Sequence, residues 1–71
     1  MKNRLKVFRA EHNLTQEDLA QKVGVSRQAI NAIETEKYDP SLPLAIKLGR
    51  LFGKPVEDIF FLDDVADEQS A

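Results

Sequence analysis

The 71-residue sequence contains no cysteine, no tryptophan and only one histidine, His12. Without cysteine there is neither a disulfide nor a thiolate metal site, and one histidine cannot supply the ligand cluster of a structural zinc centre. No apolar stretch approaches the roughly 20 residues of a membrane span, and Met1-Lys2-Asn3-Arg4 is not followed by the apolar segment of a secretory signal. A cytoplasmic protein without metal or other cofactor is expected. The strict alternation of strands, a glycine-rich nucleotide loop and internal repeats are also missing. What remains is a single small domain, too short for a second. A chain of this size buries only about 60% of the surface its unfolded form exposes. With disulfides and metals excluded, stability has to come from close helical packing, oligomerisation or both.

Charge is unevenly placed. The formal net charge of −2 and a pI near 5.3 argue, taken alone, against a nucleic-acid partner. However, Asp63, Asp64, Asp67 and Glu68 all fall within the last nine residues, a segment with little to bury and therefore expected to be a disordered acidic tail. Residues 1–62 then carry ten bases against twelve less four acids, a net charge of +2. Lys2, Arg4, Lys6 and Arg9 concentrate positive charge in the first ten residues, with no acid among them.

Helical signals run along the whole of 1–62. Leu5 and Phe8 share one side of a helix expected from about Asn3 to Glu11, ended by the His12-Asn13 turn. Thr15 is a cap for the second helix, Asp18 completes a near variant of the capping box, and Leu14 and Leu19 occupy the positions of a hydrophobic staple. Gly24 ends that helix by taking a left-handed conformation. After one further residue, Ser26 caps a third helix, expected to reach about Thr35, that turns Ile30 and Ile33 inward. Two short helices joined by a glycine turn are the sequence form of a helix-turn-helix. Pro40 interrupts the chain, and Ser41 with Pro43 starts a fourth helix. Its apolar stripe of Leu44, Leu48, Leu51 and Phe52 stops at Gly53 and Pro55. Val56 to Phe60 forms a last short turn of helix. The fold class is all-α.

An enzyme is not expected. His12 stands alone in a turn, and the adjacent carboxylates of Glu17-Asp18 and Glu57-Asp58 point to different helix faces while matching the dipole of a first turn. The outward face of helix three is more specific. At 100° per residue, Gln28, Asn31, Ala32 and Thr35 point away from the Ile30/Ile33 side, with Arg27 on the flank. Glutamine and asparagine pair with adenine in the major groove, arginine pairs with guanine, and a methyl group packs on thymine.

The segments Leu14-Thr15-Gln16-Glu17-Asp18-Leu19-Ala20, Gly24-Val25-Ser26, Ala29-Ile30, Ile33-Glu34 and Pro40-Ser41-Leu42 together resemble the Cro/CI (XRE) family of helix-turn-helix regulators. The match extends over about residues 3–60, and is nearest to compact members that end after a fifth helix and have no separate effector domain. The resemblance implies a compact five-helix, lambda-repressor-like DNA-binding domain over residues 1–62. It implies base reading by Arg27 and Gln28, with Ala32 facing the groove and Asn31 exposed beside them. It also implies phosphate contacts from Gln16, Lys37 and Tyr38, and a buried ion pair between Arg9 and Glu34. Thr35-Glu36 departs from the family's usual Asn-Gly, which removes the residue best suited to a left-handed helix end ahead of Lys37 and Tyr38 and puts an acid beside the expected phosphate path.

The expected function is a sequence-specific regulator, a repressor, that binds double-stranded DNA as a homodimer. Ile46, Phe60, Phe61 and Leu62 are the expected dimer surface, because they exceed what one small core requires at the end of the chain. The alternative is a protein-interaction module such as an antitoxin, with a protein partner and with DNA binding retained for autoregulation.

Overall fold

Three hydroxyl residues, Thr15, Ser26 and Ser41, set the frame of the fold, because each takes an extended conformation and accepts a hydrogen bond from the main-chain N–H three residues on. The computed structural model describes residues 1–62; the expected acidic tail, 63–71, lies outside the described residues. In chain order the elements are β1 (Lys2–Asn3), α1 (Leu5–Glu11), α2 (Gln16–Val23), α3 (Arg27–Glu34), α4 (Leu42–Phe52), α5 (Val56–Ile59) and β2 (Phe60–Phe61). The expected all-α class with five helices is present.

The small sheet is a departure from that expectation. β1 and β2 pair antiparallel, Lys2 opposite Phe61 and Asn3 opposite Phe60, and Arg4 donates its main-chain N–H to the Ile59 carbonyl at 2.8 Å. α1 consequently starts at Leu5, after Asn3 has been used in the sheet. The Asn3 side chain still serves the helix: its Oδ1 accepts from the Leu5 N–H at 3.1 Å, while its Nδ2 donates to the Ile33 carbonyl at 2.9 Å. One amide thus supports the start of α1 and the last turn of α3 together.

The capping box at α2 is complete, with Thr15 Oγ1 accepting from Asp18 N–H and the Asp18 carboxylate accepting from Thr15 N–H. These bonds, the main-chain one first, hold the Asp18 carboxyl below the usual carboxylate range. Gly24, at φ 76°, ends α2 in the left-handed region. Leu5, Leu19, Ile30, Ile33, Leu48 and Ile59 are fully buried, so all five helices contribute to one core. Burying each such side chain stabilises the fold by about 1.5–3 kcal/mol. Phe8 stacks on Phe52 at 5.8 Å, and the exposed His12 makes a T-shaped contact with the Phe52 ring at 4.9 Å.

Phe60 corrects the expected dimer surface. It is only 5% exposed and packs in the core beside Ile59, whereas Phe61 faces out. In an extended segment consecutive side chains alternate sides, so of two neighbouring phenylalanines one turns in and the next turns out.

Candidate nucleic-acid interface

The second and third helices are joined by the Gly24-Val25-Ser26 turn, and α3 lays its Ile30/Ile33 side against the core. Arg27, Gln28 and Asn31 are all exposed on the opposite side, and Ala32 is partly covered. Among the described residues, Arg27 and Gln28 carry no hydrogen bond or ion pair, so their full donor and acceptor sets face solvent. The acid that lies on α3, Glu34, is turned away from this face and its side chain is 5% exposed.

Arg9 and Glu34 are paired across α1 and α3. Arg9 Nε meets Glu34 Oε2 at 2.7 Å and Nη2 meets Oε1 at 3.3 Å, a forked contact, while Nη1 donates to the Leu14 carbonyl at 2.9 Å. Gln16, at the first position of α2, adds to this network. Its Nε2 donates to Glu34 Oε1 at 3.0 Å and to Asn31 Oδ1 at 3.3 Å. Four residues from three helices are thereby linked, and the exposed face of α3 is tied to a part-buried ion pair.

α3 ends by an unexpected route. Thr35-Glu36 lacks the glycine suited to a left-handed position, yet Glu36 adopts φ 65°. Its N–H bonds to the Ile33 carbonyl at 3.1 Å, and the Lys37 N–H reaches back to the Ala32 carbonyl at 2.9 Å, the two bonds of a Schellman motif. Satisfying both carbonyls offsets the roughly 1–2 kcal/mol that a side chain costs there. Lys37 and Tyr38 follow directly and are exposed, with Glu36 exposed beside them.

Comparison with known proteins gives these helices a family. Residues 5–59 match the model of the helix-turn-helix family HTH_3. The chain belongs to the XRE-type helix-turn-helix family of DNA-binding transcriptional regulators. It is 66% identical over 64 residues, 90% of this chain and 97% of the other, to a protein of Methanocaldococcus jannaschii named as an HTH-type transcriptional regulator. A protein of Archaeoglobus fulgidus with the same kind of name is 52% identical, with 90% of each chain covered. The immunity repressor protein of Bacillus phage phi105 is 34% identical over 68 residues, covering 96% of this chain and 47% of that one. Among solved structures, the SOS-response transcriptional repressor LexA from Eubacterium rectale superposes with a TM-score of 0.73 at 24% identity, covering 94% of this chain and 72% of that one. That likeness concerns the fold.

The family is a class of DNA-binding regulators rather than of enzymes. Among the described residues no helix is long and apolar enough to cross a membrane. Of the expected dimer residues, Ile46, Phe61 and Leu62 are exposed, and Met1 and Leu42 are exposed as well. Met1, Leu42, Phe61 and Leu62 line one shallow apolar cavity of about 260 Å³. Neither Met1 nor Leu42 was expected there; the spacing of Leu42 and Ile46, one turn apart on α4, is the sequence signal that marks them as one stripe. Asn3 was the other residue missed, and a capping-type amide just ahead of α1 was its signal.

Proposed function

We propose that the protein is a sequence-specific repressor that binds double-stranded DNA as a homodimer, inserting α3 into the major groove. The observation that carries this reading is the exposed, acid-free face of Arg27, Gln28, Asn31 and Ala32 on a helix whose other side is fixed by the Arg9–Glu34–Gln16 network. Guanidinium, amide and methyl groups in that arrangement match base edges. Lys37 and Tyr38 contact the phosphate backbone as α3 leaves the groove. Gln16 contacts phosphate through its main-chain N–H, because the first N–H groups of a helix lack helical acceptors while its side-chain nitrogen is already engaged.

One helix reads too few base pairs for useful specificity, so two copies bind half-sites about one helical turn, roughly 34 Å, apart. Ile46, Phe61 and Leu62, with Met1 and Leu42, form the contact between the copies; Phe60 supports it from the core. Occupying a promoter in this way lowers transcription, and the phage phi105 relative is named an immunity repressor protein. Selection of bound sequences from a random duplex pool tests the reading. Two related half-sites about one turn apart are expected, and a pool that shows no enrichment after selection contradicts it.

A further inference from the structure

Asn31 differs from Arg27 and Gln28 on the exposed face of α3, because its side-chain oxygen already has a partner. Gln16 Nε2 donates to Asn31 Oδ1 at 3.3 Å and to Glu34 Oε1 at 3.0 Å. Glu34 is in turn held by the fork from Arg9. The Gln16 amide cannot turn over without setting its own oxygen against the Glu34 carboxylate. An amide carries its acceptor and its two donors at opposite ends. With the Asn31 oxygen drawn toward the start of α2, the NH2 group is the end that faces away.

Resting on the base-reading role of α3, we propose that Gln16 is a positioning residue that fixes Asn31 as a donor, so that Asn31 reads guanine rather than adenine. Pairing an asparagine with adenine uses both ends of the amide, the oxygen for N6–H2 and the nitrogen for N7, whereas guanine presents two acceptors, N7 and O6. A freely rotating asparagine would suit adenine; one whose oxygen is held toward α2 turns its NH2 group outward and suits guanine. The specificity of this position is therefore set in part by a residue on α2 and by an ion pair that reaches α1.

The test is selection from random duplex DNA with the full chain, its Asn31→Asp variant and its Gln16→Ala variant, each with a thermal melt. The parent chain is expected to select guanine over adenine at one position of each half-site by about tenfold or more. Asn31→Asp keeps an oxygen for Gln16 and turns a second one outward, so the preference at that position moves to cytosine, whose N4–H2 donates. Gln16→Ala frees the Asn31 amide and brings adenine to within about threefold of guanine at that position. Adenine at this position in the parent chain, or a profile unmoved by Asn31→Asp, would overturn the proposal. Asn31 is exposed, so the aspartate variant folds and carries the test even if Gln16→Ala melts early. A pool with no enriched sequence contradicts the base-reading role itself, whereas an enriched pool with adenine contradicts only the tether.

Discussion

Beneath and beside α3, Arg9, Gln16, Asn31 and Glu34 bond to one another, whereas near β2 and along α4 a set of apolar side chains is left exposed. Arg9, Gln16, Asn31 and Glu34 make five hydrogen bonds among themselves and with the Leu14 carbonyl, each directional and each restricting a rotamer. The side chains of Leu42, Ile46 and Leu62 make no such bonds, and Leu42 and Leu62 are each 69% exposed. Directional bonds orient a surface, as matching base edges would require. Apolar groups provide non-directional adhesion, which suits a contact between identical copies. The first region is oriented by its own hydrogen bonds, and the second is the face that the proposed dimer would bury.

The largest expected effect breaks the first region. Arg9→Ala leaves Glu34 buried without its cation and costs about 3–5 kcal/mol, enough to lower Tm by more than roughly 12 °C in a domain of this size. Calorimetry should show this loss in the absence of DNA, and a normal Tm would contradict the structural role of the pair. The double replacement Arg9→Met with Glu34→Leu is expected to recover most of that stability, since it removes both buried charges at once. It sharpens the comparison by separating the network's stability from its role in orienting α3.

The second region breaks differently. Leu62→Asp is expected to leave the fold of each copy intact, because the side chain is exposed, while weakening dimerisation by about 2 kcal/mol, roughly thirtyfold in Kd. Light scattering at tens of micromolar checks it: the parent chain should run as a dimer and the variant should shift toward monomer. A monomeric parent chain would remove the second half of the comparison.

Two smaller effects concern helix ends. Glu36→Gly relieves the left-handed strain at φ 65° and should raise stability by about 0.5–1 kcal/mol, read as a higher denaturant midpoint. It also removes an acid beside the proposed phosphate contacts of Lys37 and Tyr38, so affinity for random DNA should rise modestly. At α2, the folded state lowers the Asp18 pKa, so its contribution is present above the unfolded pKa and is lost as pH falls through the folded one. Melts of the parent chain and of Asp18→Asn should therefore converge below the usual carboxylate range, and a difference unchanged down to pH 2 would argue against the capping bond.

Much of the frame was legible because its signals are local. Thr15 with Asp18, Gly24, Ser26, Ser41 and Gly53 each act within a few residues of the feature they specify. The β1–β2 pairing was not, since two residues at one end of the chain meet two at the other and neither pair has a pattern of its own. Phe60 was misassigned for a related reason: in Ile59-Phe60-Phe61-Leu62 composition shows that the run is apolar, and only the extended backbone decides which ring turns inward. At Glu36 the residue type pointed away from a left-handed ending, and the two Schellman bonds outweighed it. The exposed face of α3 followed from helix period alone, but the bond from Gln16 to Asn31 depends on how α2 and α3 pack, which no local pattern in either helix states.

The central claim is that α3 reads base edges while neighbouring groups grip phosphate, and Gln28→Ala tests it most directly. Binding of the parent and variant chains is to be measured by fluorescence anisotropy, on a selected duplex and on random duplex, at two salt concentrations. The variant is expected to lose about 1–3 kcal/mol on the selected duplex, with affinity for random DNA and the salt slope unchanged, because the phosphate contacts are intact. Equal losses on both duplexes would contradict the claim.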